Sequence, residues 1–388
     1  MIVAGEASGD RHAARLIHEL RNAEPDTLFQ FFGAAGPEMR IAGVEADVVS
    51  DELSIVGLAE IGRALPIFLR TLKTLKREVA ARKPDAAILV DFPDFNLRLA
   101  RSLKRMGIRV IYFISPQLWA WRQYRISSIR KYVDLLLTIL PFEANWYHER
   151  GVDHVEYVGN PLANAVHPSI SREEFCSKNG LDADKPVIAL LPGSRHKELV
   201  RILPVMLDAA ALVSRSIDGA QFVVALAAQR HLSDLERSLE ERRRQNDESI
   251  PQVTAVVGET YDALGASDAA AVTSGTATLE TGIIGTPMAI VYKTSAINFM
   301  LLEPLINVDH YGLINLIAGE RVAKELIQHE FTPKSLADEL VGILDLEKNR
   351  AMREKLRNAV EKLGEGGASK RAAKAILRTL DAQARKPK

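Results

Sequence analysis

The sequence predicts an α/β protein made of two doubly wound, Rossmann-like domains facing a cleft, and three observations predict it. Short, near-continuous apolar runs alternate with longer stretches of helical spacing, as parallel strands covered on both faces require. The alternation runs as far as Pro161 and restarts at Val187, so two such series follow one another. The chain has 388 residues, enough for two domains that each bury a core.

In the first series the strands are expected at Ile2–Ala4, Phe29–Gly33, Ala86–Asp91, Arg109–Ile114, Leu135–Leu140 and Val155–Gly159. Helices are expected between them at Ala13–Asn22, Ala64–Arg82 and Leu97–Met106, where apolar residues recur with helical period. Pro161 and Pro168 bracket a small polar segment, which reads as the break between domains. The second series places strands at Val187–Leu191, Gln221–Leu226, Val253–Val257, Ala269–Thr273 and Met288–Tyr292, with a helix near Leu199–Val213. The doubly charged stretch Leu232–Glu248 reads as a solvated helix face, and Ala351–Ala384 as one long helix with a frayed basic end. The expected domains are therefore residues 1–165 and 166–350, followed by a C-terminal helical segment over 351–388.

Composition narrows the function classes. Fifty basic and fifty acidic side chains balance, which argues against a protein built around a nucleic-acid backbone. The single cysteine, Cys176, permits neither an internal disulfide nor a cysteine metal cluster. Met1 runs directly into the first strand without the charged and apolar regions of a signal peptide, although a longer start stays open. The longest apolar stretches, such as Leu135–Pro141, fall short of the ~18–20 residues that span a bilayer. No metal site and no cofactor are expected.

Open α/β sheets bind ligands beyond the carboxyl ends of their strands. After the first strand, Gly5-Glu6-Ala7-Ser8-Gly9-Asp10 reads either as a capped turn or as hydrogen-bonding groups for a sugar; the dinucleotide glycine spacing is absent. After the third, Asp91-Phe92-Pro93-Asp94-Phe95-Asn96 places Asp94 as a helix N-cap and leaves Asp91 at the strand tip, as a general base or a structural acceptor. Ser115 to Arg122 holds Trp119 and Trp121 among arginines, and Arg125, Arg130 and Lys131 follow with no acidic residue between. Such a run suits core packing, a sugar platform or a membrane interface.

In the second series, Pro192-Gly193-Ser194-Arg195 precedes a helix and offers amides, a hydroxyl and a guanidinium to a diphosphate, with His196 beside it. Ser274-Gly275-Thr276 opens another helix, and Glu280 follows one turn later, where a carboxylate can grip a ribose diol. Residues 63–83 mix seven basic side chains with one acidic residue, Glu78, and with Leu65, Phe68, Leu69 and Leu72. That mixture fits a covering helix or an amphipathic helix on an anionic membrane. The apolar segment Phe299–Leu305 is a weaker candidate for the same role.

Taken in order, Gly5–Asp10, Gly36-Pro37 with Met39, Asp91–Asn96, Ser115–Arg122, Leu140–Glu143, Leu191–Arg195, Ser274–Glu280 and Asn315–Gly319 resemble the lipid-A-disaccharide synthases from Ile2 to about Leu340. The resemblance implies an inverting, metal-independent GT-B glycosyltransferase with its C-terminal helix crossing back to the N-terminal domain. It implies UDP-2,3-diacylglucosamine as donor and 2,3-diacylglucosamine 1-phosphate as acceptor, joined by a β-1,6 bond in lipid A biosynthesis of Gram-negative cells. By the same resemblance Asp91 is the base and Arg195 steadies the leaving UDP. Gly193, Ser194, Ser274, Gly275, Thr276, Glu280 and Asn315 surround the nucleotide. Glu6, Ser8, Asp10, Asp94, Asn96, Trp121 and Arg122 border the acceptor, and Leu65, Phe68, Leu69 and Leu72 meet acyl chains or membrane. A cytoplasmic enzyme peripheral to the inner membrane is implied, and a homodimer is left open.

Two departures from the family pattern stand out. Asn160 and Asn164 occupy positions where relatives carry His and Asp, and no proline precedes Asn315. The alternatives are a UDP-N-acetylglucosamine 2-epimerase on the same fold, which needs no lipid-facing surface, and a non-catalytic nucleotide-sugar binding protein.

Overall fold

The computed structural model describes residues 1–50, 61–244, 251–295 and 308–384, and the side chains of 61–65 and 382–384 lie outside that description. It divides into two compact units, Met1–Pro161 with Glu365–Lys388, and Leu162–Gly364.

The first unit is built on a seven-stranded parallel sheet. Its strands are β1 (Ile2–Ala4), β2 (Phe31–Ala35), β3 (Val44–Val49), β4 (Ala86–Val90), β5 (Arg109–Phe113), β6 (Leu135–Thr138) and β7 (Val155–Tyr157), in spatial order β3-β2-β1-β4-β5-β6-β7. The helices are α1 (Ala7–Ala23), α2 (Pro37–Ile41), α3 (Ile61–Arg82), α4 (Pro93–Arg105), α5 (Ile126–Tyr132) and α6 (Glu143–His148). Alternate residues of β1 enter opposite cores. Ile2 and Ala4 pack with Leu16, Ile17 and Leu20 of α1, whereas Val3 packs with Leu75, Val79 and Phe95 of α3 and α4. Burial on both faces is why these strands read as continuous apolar runs.

The second unit repeats the plan with six parallel strands. They are β8 (Val187–Leu191), β9 (Gln221–Leu226), β10 (Val253–Val257), β11 (Ala269–Thr273), β12 (Met288–Tyr292) and β13 (Glu325–Ile327), in order β10-β9-β8-β11-β12-β13. Its helices are α7 (Arg172–Asn179), α8 (His196–Ser216), α9 (Leu232–Arg244), α10 (Thr260–Gly265), α11 (Thr276–Ile284), α12 (Leu313–Ala318), α13 (Pro333–Ile343) and α14 (Leu346–Glu361).

Three features differ from the sequence expectation. Strands β3 and β13 were not expected, and both are edge strands. One is half-exposed and the other has three residues, so neither shows the apolar run of a central strand. Next, the expected strand Phe29–Gly33 forms two residues later, as β2. Finally, the single helix expected over 351–384 is two, α14 and α15 (Ala368–Ala384), because the chain turns at Gly364 and Gly367 with φ of 69° and 90°.

That turn has a topological result. Helix α15 belongs to the first unit, where Ala372, Ala373, Ala375 and Ile376 join the core of α1 and β1. Arg371 fastens it, donating from Nε to the Val158 carbonyl at 2.7 Å and from Nη1 and Nη2 to Gly366 and Glu365, each at 2.9 Å.

Candidate active site

In each sheet the strand order reverses once, between β1 and β4 in the first unit and between β8 and β11 in the second. Such switch points open a crevice at the strands' carboxyl ends. The loops after these four strands hold Gly5–Asp10, Asp91–Asn96, Gly193–Arg195 and Ser274–Glu280.

Asp91 leaves β4 with φ of 48° and Phe92 follows with 49°, so two consecutive non-glycine residues sit in the left-handed region. Each costs on the order of 1–3 kcal/mol, and such strain persists only where the surroundings fix it. Here they do: the Asp91 carbonyl accepts from Tyr112 Oη at 2.6 Å and Asn96 Nδ2 at 2.7 Å, and its N–H donates to the Phe113 carbonyl at 3.0 Å. The Phe92 ring lies over Gly5, where a Cβ would come within 2.2 Å of it. Partial burial, reinforced by the nearby Glu6 carboxylate, pushes the Asp91 carboxyl up to about 6 against a hydrogen bond from the Phe92 backbone. Glu6 is exposed at the N-cap of α1 and Ser8 is half-buried in its first turn.

Several expected acceptor residues have other duties. Asp10 is buried, and its carboxylate accepts from the backbone N–H of Gly36, Glu38 and Met39 at 2.8, 2.8 and 3.2 Å, which caps α2. Asn96 is fully buried and pins the Asp91 turn from beneath, with a second bond to the Val90 carbonyl at 3.2 Å. Asp94 is not an N-cap, since α4 begins at Pro93; it lies in the first helical turn, where its charge suits the dipole. Its Oδ1 accepts from Arg122 Nη1 at 2.8 Å and also from Arg125 Nη2. The Arg122 guanidinium stacks 4.1 Å from the half-buried Trp121 ring.

Trp119 is core instead, donating its indole N–H to Glu143 Oε1 at 3.0 Å. Glu143 is buried and pushed up to about 7 by that burial, against bonds from Trp119 and from the Ile139 and Leu140 N–H groups.

In the second unit Gly193 has φ of 109°, and Ser194 and Arg195 are exposed after it at the start of α8. Glu198 gathers this loop: Oε2 accepts from the Ser194 and Arg195 N–H groups at 3.1 and 3.3 Å, and Oε1 from Arg195 Nη1 at 3.0 Å. A carboxylate thus engages the donors expected for a diphosphate. His196 turns away to Asp234, which His231 also meets, and His231 Nε2 lies 3.0 Å from the Ser194 carbonyl. Gly275 has φ of 144° with open space where a Cβ would stand, and Thr276 is exposed beside it. Ser274 donates its hydroxyl to the Tyr311 carbonyl at 2.7 Å. Glu280 accepts from Tyr261 Oη at 2.8 Å.

Asn315 does not reach the nucleotide end. It is fully buried, exchanging bonds with the Ala323 backbone at 2.7 and 2.9 Å and donating to Glu325 Oε1 at 2.9 Å. Glu325 needs these donors as a buried carboxylate, and takes the Tyr311 and Gly312 N–H groups as well.

Helix α3 is split in role. Phe68 packs onto Phe92 and Phe95, with ring centroids 5.7 and 5.4 Å away, and is partly buried there. Leu72 is partly buried on the same side, and Leu69 is 56% exposed beside Lys73, Lys76 and Arg77. The Leu65 side chain and Phe299–Leu305 lie outside the described residues. Among those described, no helix is long and apolar enough to cross a membrane, and no three His, Cys, Asp or Glu side chains are grouped to hold a metal ion.

The lipid-A-disaccharide synthetase family model matches residues 1–379. The lipid-A-disaccharide synthase of Trichlorobacter lovleyi is 42% identical over 382 residues, covering 98% of this chain and 97% of that protein. This chain belongs to that family. The synthase of Syntrophus aciditrophicus is 43% identical over 377 residues, covering 96% and 95% of the two chains. Among solved structures, a Listeria monocytogenes protein assigned as a UDP-N-acetylglucosamine 2-epimerase aligns with TM-score 0.65 at 15% identity, covering 98% of this chain and 96% of that one. Acinetobacter baumannii MurG aligns with TM-score 0.56 at 16% identity, covering 97% and 98%. These two share the fold, two Rossmann-like domains of the GT-B kind, whereas identity across the full length sets the synthase family above the epimerase alternative.

Tyr261, Arg125, Glu143 and His231 were absent from the expected site. Glu143 stood in a quoted motif and Arg125 just beyond one, each without a role, and the sequence around Tyr261 and His231 carried no signal.

Proposed function

We propose that the chain transfers a 2,3-diacylglucosaminyl group from its UDP donor to 2,3-diacylglucosamine 1-phosphate, giving the β-1,6-linked disaccharide 1-phosphate of lipid A and UDP. The observation that carries the mechanism is Asp91, a strand-tip carboxylate on a strained, fixed turn in a chain that the synthase family model matches over residues 1–379. With its carboxyl raised to about 6, Asp91 is ionised at neutral pH yet more basic than an ordinary aspartate, which suits a general base. It takes the proton of the acceptor 6-hydroxyl while that oxygen bonds to the donor's anomeric carbon. The bond from that carbon to the diphosphate breaks on the opposite face, and its electron pair leaves with UDP, so configuration inverts.

Arg195 and the amides of Ser194 and Thr276 meet the charge that grows on the diphosphate, the electrostatic duty a metal performs in other transferases. Binding requires Glu198 to yield the Ser194 and Arg195 donors it now holds. Glu280, oriented by Tyr261, takes the ribose hydroxyls with its remaining oxygen. Exposed Leu69 among Lys73, Lys76 and Arg77 supports contact of α3 with the anionic cytoplasmic face of the inner membrane.

The test is UDP release from UDP-diacylglucosamine in detergent with EDTA present, with and without acceptor. Acceptor-dependent release that survives EDTA is expected. Donor epimerisation without acceptor would favour the epimerase, and binding without turnover would favour a carrier protein.

A further inference from the structure

We propose that Arg122 and Arg125 form the subsite for the phosphomonoester of the acceptor, an assignment that rests on the reading of the acceptor as a sugar 1-phosphate. Both guanidiniums converge on one oxygen, Oδ1 of Asp94. Two cations on one carboxylate leave an excess of positive charge, and residues 115–131 contain no acid to neutralise it. An arginine has five N–H donors in a planar fork. Arg122 commits Nη1 to Asp94, and Arg125 commits Nη2 to Asp94 and one further bond to the Tyr124 side chain, which still leaves N–H donors of both forks for a phosphate.

The pair is held before any ligand arrives. Arg122 has left-handed backbone, φ 54°, and its guanidinium carbon lies over the Trp121 ring, 4.1 Å from the centroid. Their side chains are 28% and 17% exposed, so both are sheltered yet reachable from solvent. Asp94 offsets the repulsion that would drive two bare guanidiniums apart. A structural clip alone would need neither a second arginine on the same oxygen nor a strained residue to present the first.

Position relates this pair to the chemistry. Asp94 lies three residues beyond Asp91, across the strained turn. The Arg125 charge is felt at the Tyr112 phenol, whose O–H donates to the Asp91 carbonyl at 2.6 Å. On a glucosamine ring C1 and C5 both flank the ring oxygen, so the 1-phosphate and the 6-hydroxyl share one edge. A base for the 6-hydroxyl and a clamp for the 1-phosphate must therefore stand about one pyranose apart on the same wall of a site. The clamp would orient the acceptor so that its hydroxyl, and not another, meets Asp91.

The experiment compares two acceptors, diacylglucosamine 1-phosphate and its uncharged 1-O-methyl glycoside, at saturating donor. Wild type is expected to prefer the phosphate in kcat/KM. In Arg122→Ala and Arg125→Ala that preference should fall by about 10–100-fold each, the size of a lost charge-assisted hydrogen bond, mostly through acceptor KM. Lysine at either position should restore part of it. UDP affinity, measured by calorimetry on the same variants, checks that the fold survives. An equal loss on both acceptors, leaving the preference intact, would overturn the subsite alone. A wild type indifferent to the phosphate would also overturn it. No acceptor-dependent UDP release from wild type would overturn the functional reading as well.

Discussion

At the switch point of the first unit left-handed backbone falls on Asp91 and Phe92, with Arg122 farther on beyond β5, whereas at the switch point of the second it falls on Gly193 and Gly275. The sheets reverse order at equivalent places, so topology does not cause the difference. What each loop offers does. In the proposed mechanism the second unit offers backbone amides to a diphosphate, and a Cβ at Gly193 would lie 2.5 Å from Glu198 Oε2, within the donor cluster. Glycine meets that demand without strain. The first unit presents side chains, a carboxylate and a guanidinium, which glycine cannot supply. It therefore accepts strain at Asp91 and fixes it with Tyr112 and Asn96. On the proposed mechanism, one architecture thus supports a binding loop made of backbone and a reacting loop made of side chains.

Substitution at each loop should break this contrast in a different kinetic parameter. Asp91→Asn keeps shape and removes the base, and kcat should fall by about 10²–10⁴-fold while UDP affinity is unchanged. UDP affinity falling with it would mean that Asp91 shapes the donor site. Arg195→Ala should lower kcat by about 10²–10³-fold and also weaken UDP binding, as loss of a preorganised donor to the leaving group does. Titration of UDP by calorimetry separates the two variants.

A smaller effect sharpens the account of Asp91 itself. Its folded carboxyl is raised from 3.8 to about 6, so the folded state holds a proton that the unfolded chain has released between those values. The stability this confers is complete below about pH 4 and lost as pH rises past about 6, a difference of about 2–3 kcal/mol. Asp91→Asn should therefore be more resistant to urea than wild type at pH 7, with the gap narrowing at pH 4. A gap independent of pH would trace to backbone strain alone, since asparagine tolerates left-handed backbone. Wild-type kcat/KM should meanwhile decline below about pH 6 as the base is protonated. The smallest change expected is in Tyr261→Phe, which removes one hydrogen bond to Glu280 and should raise donor KM about 5-fold, near 1 kcal/mol, with kcat intact.

The central strands and the order of the loops were legible because burial on both faces writes itself into apolar runs, as in Val187–Leu191. What stayed hidden was the direction in which a motif's side chains point. Asn315 read as a nucleotide contact, but its partner Glu325 lies on β13, an edge strand too short to show as an apolar run. Asp10 read as sugar-binding because nothing in its own segment shows that the N-cap of α2, Gly36, comes 26 residues later against its carboxylate. Asn96 sits one helical turn from the tip it was expected to join and faces the turn's underside. Arg195 and Thr276 lie at helix starts near glycine, with Glu280 one turn further on, where the local sequence does indicate the mouth of the sheet.

Helix α15 gives the chain an order of assembly. As a ribosome delivers it, residues 162–364 can complete their own sheet while the first unit still lacks the surface that covers Leu16, Ile17 and Leu20. The half of the molecule that is made first is the last to be finished. Until Arg371 reaches the Val158 carbonyl, an apolar face of α1 stands open to water and to other nascent chains, and a cut at Gly364 would damage the start of the protein more than its end.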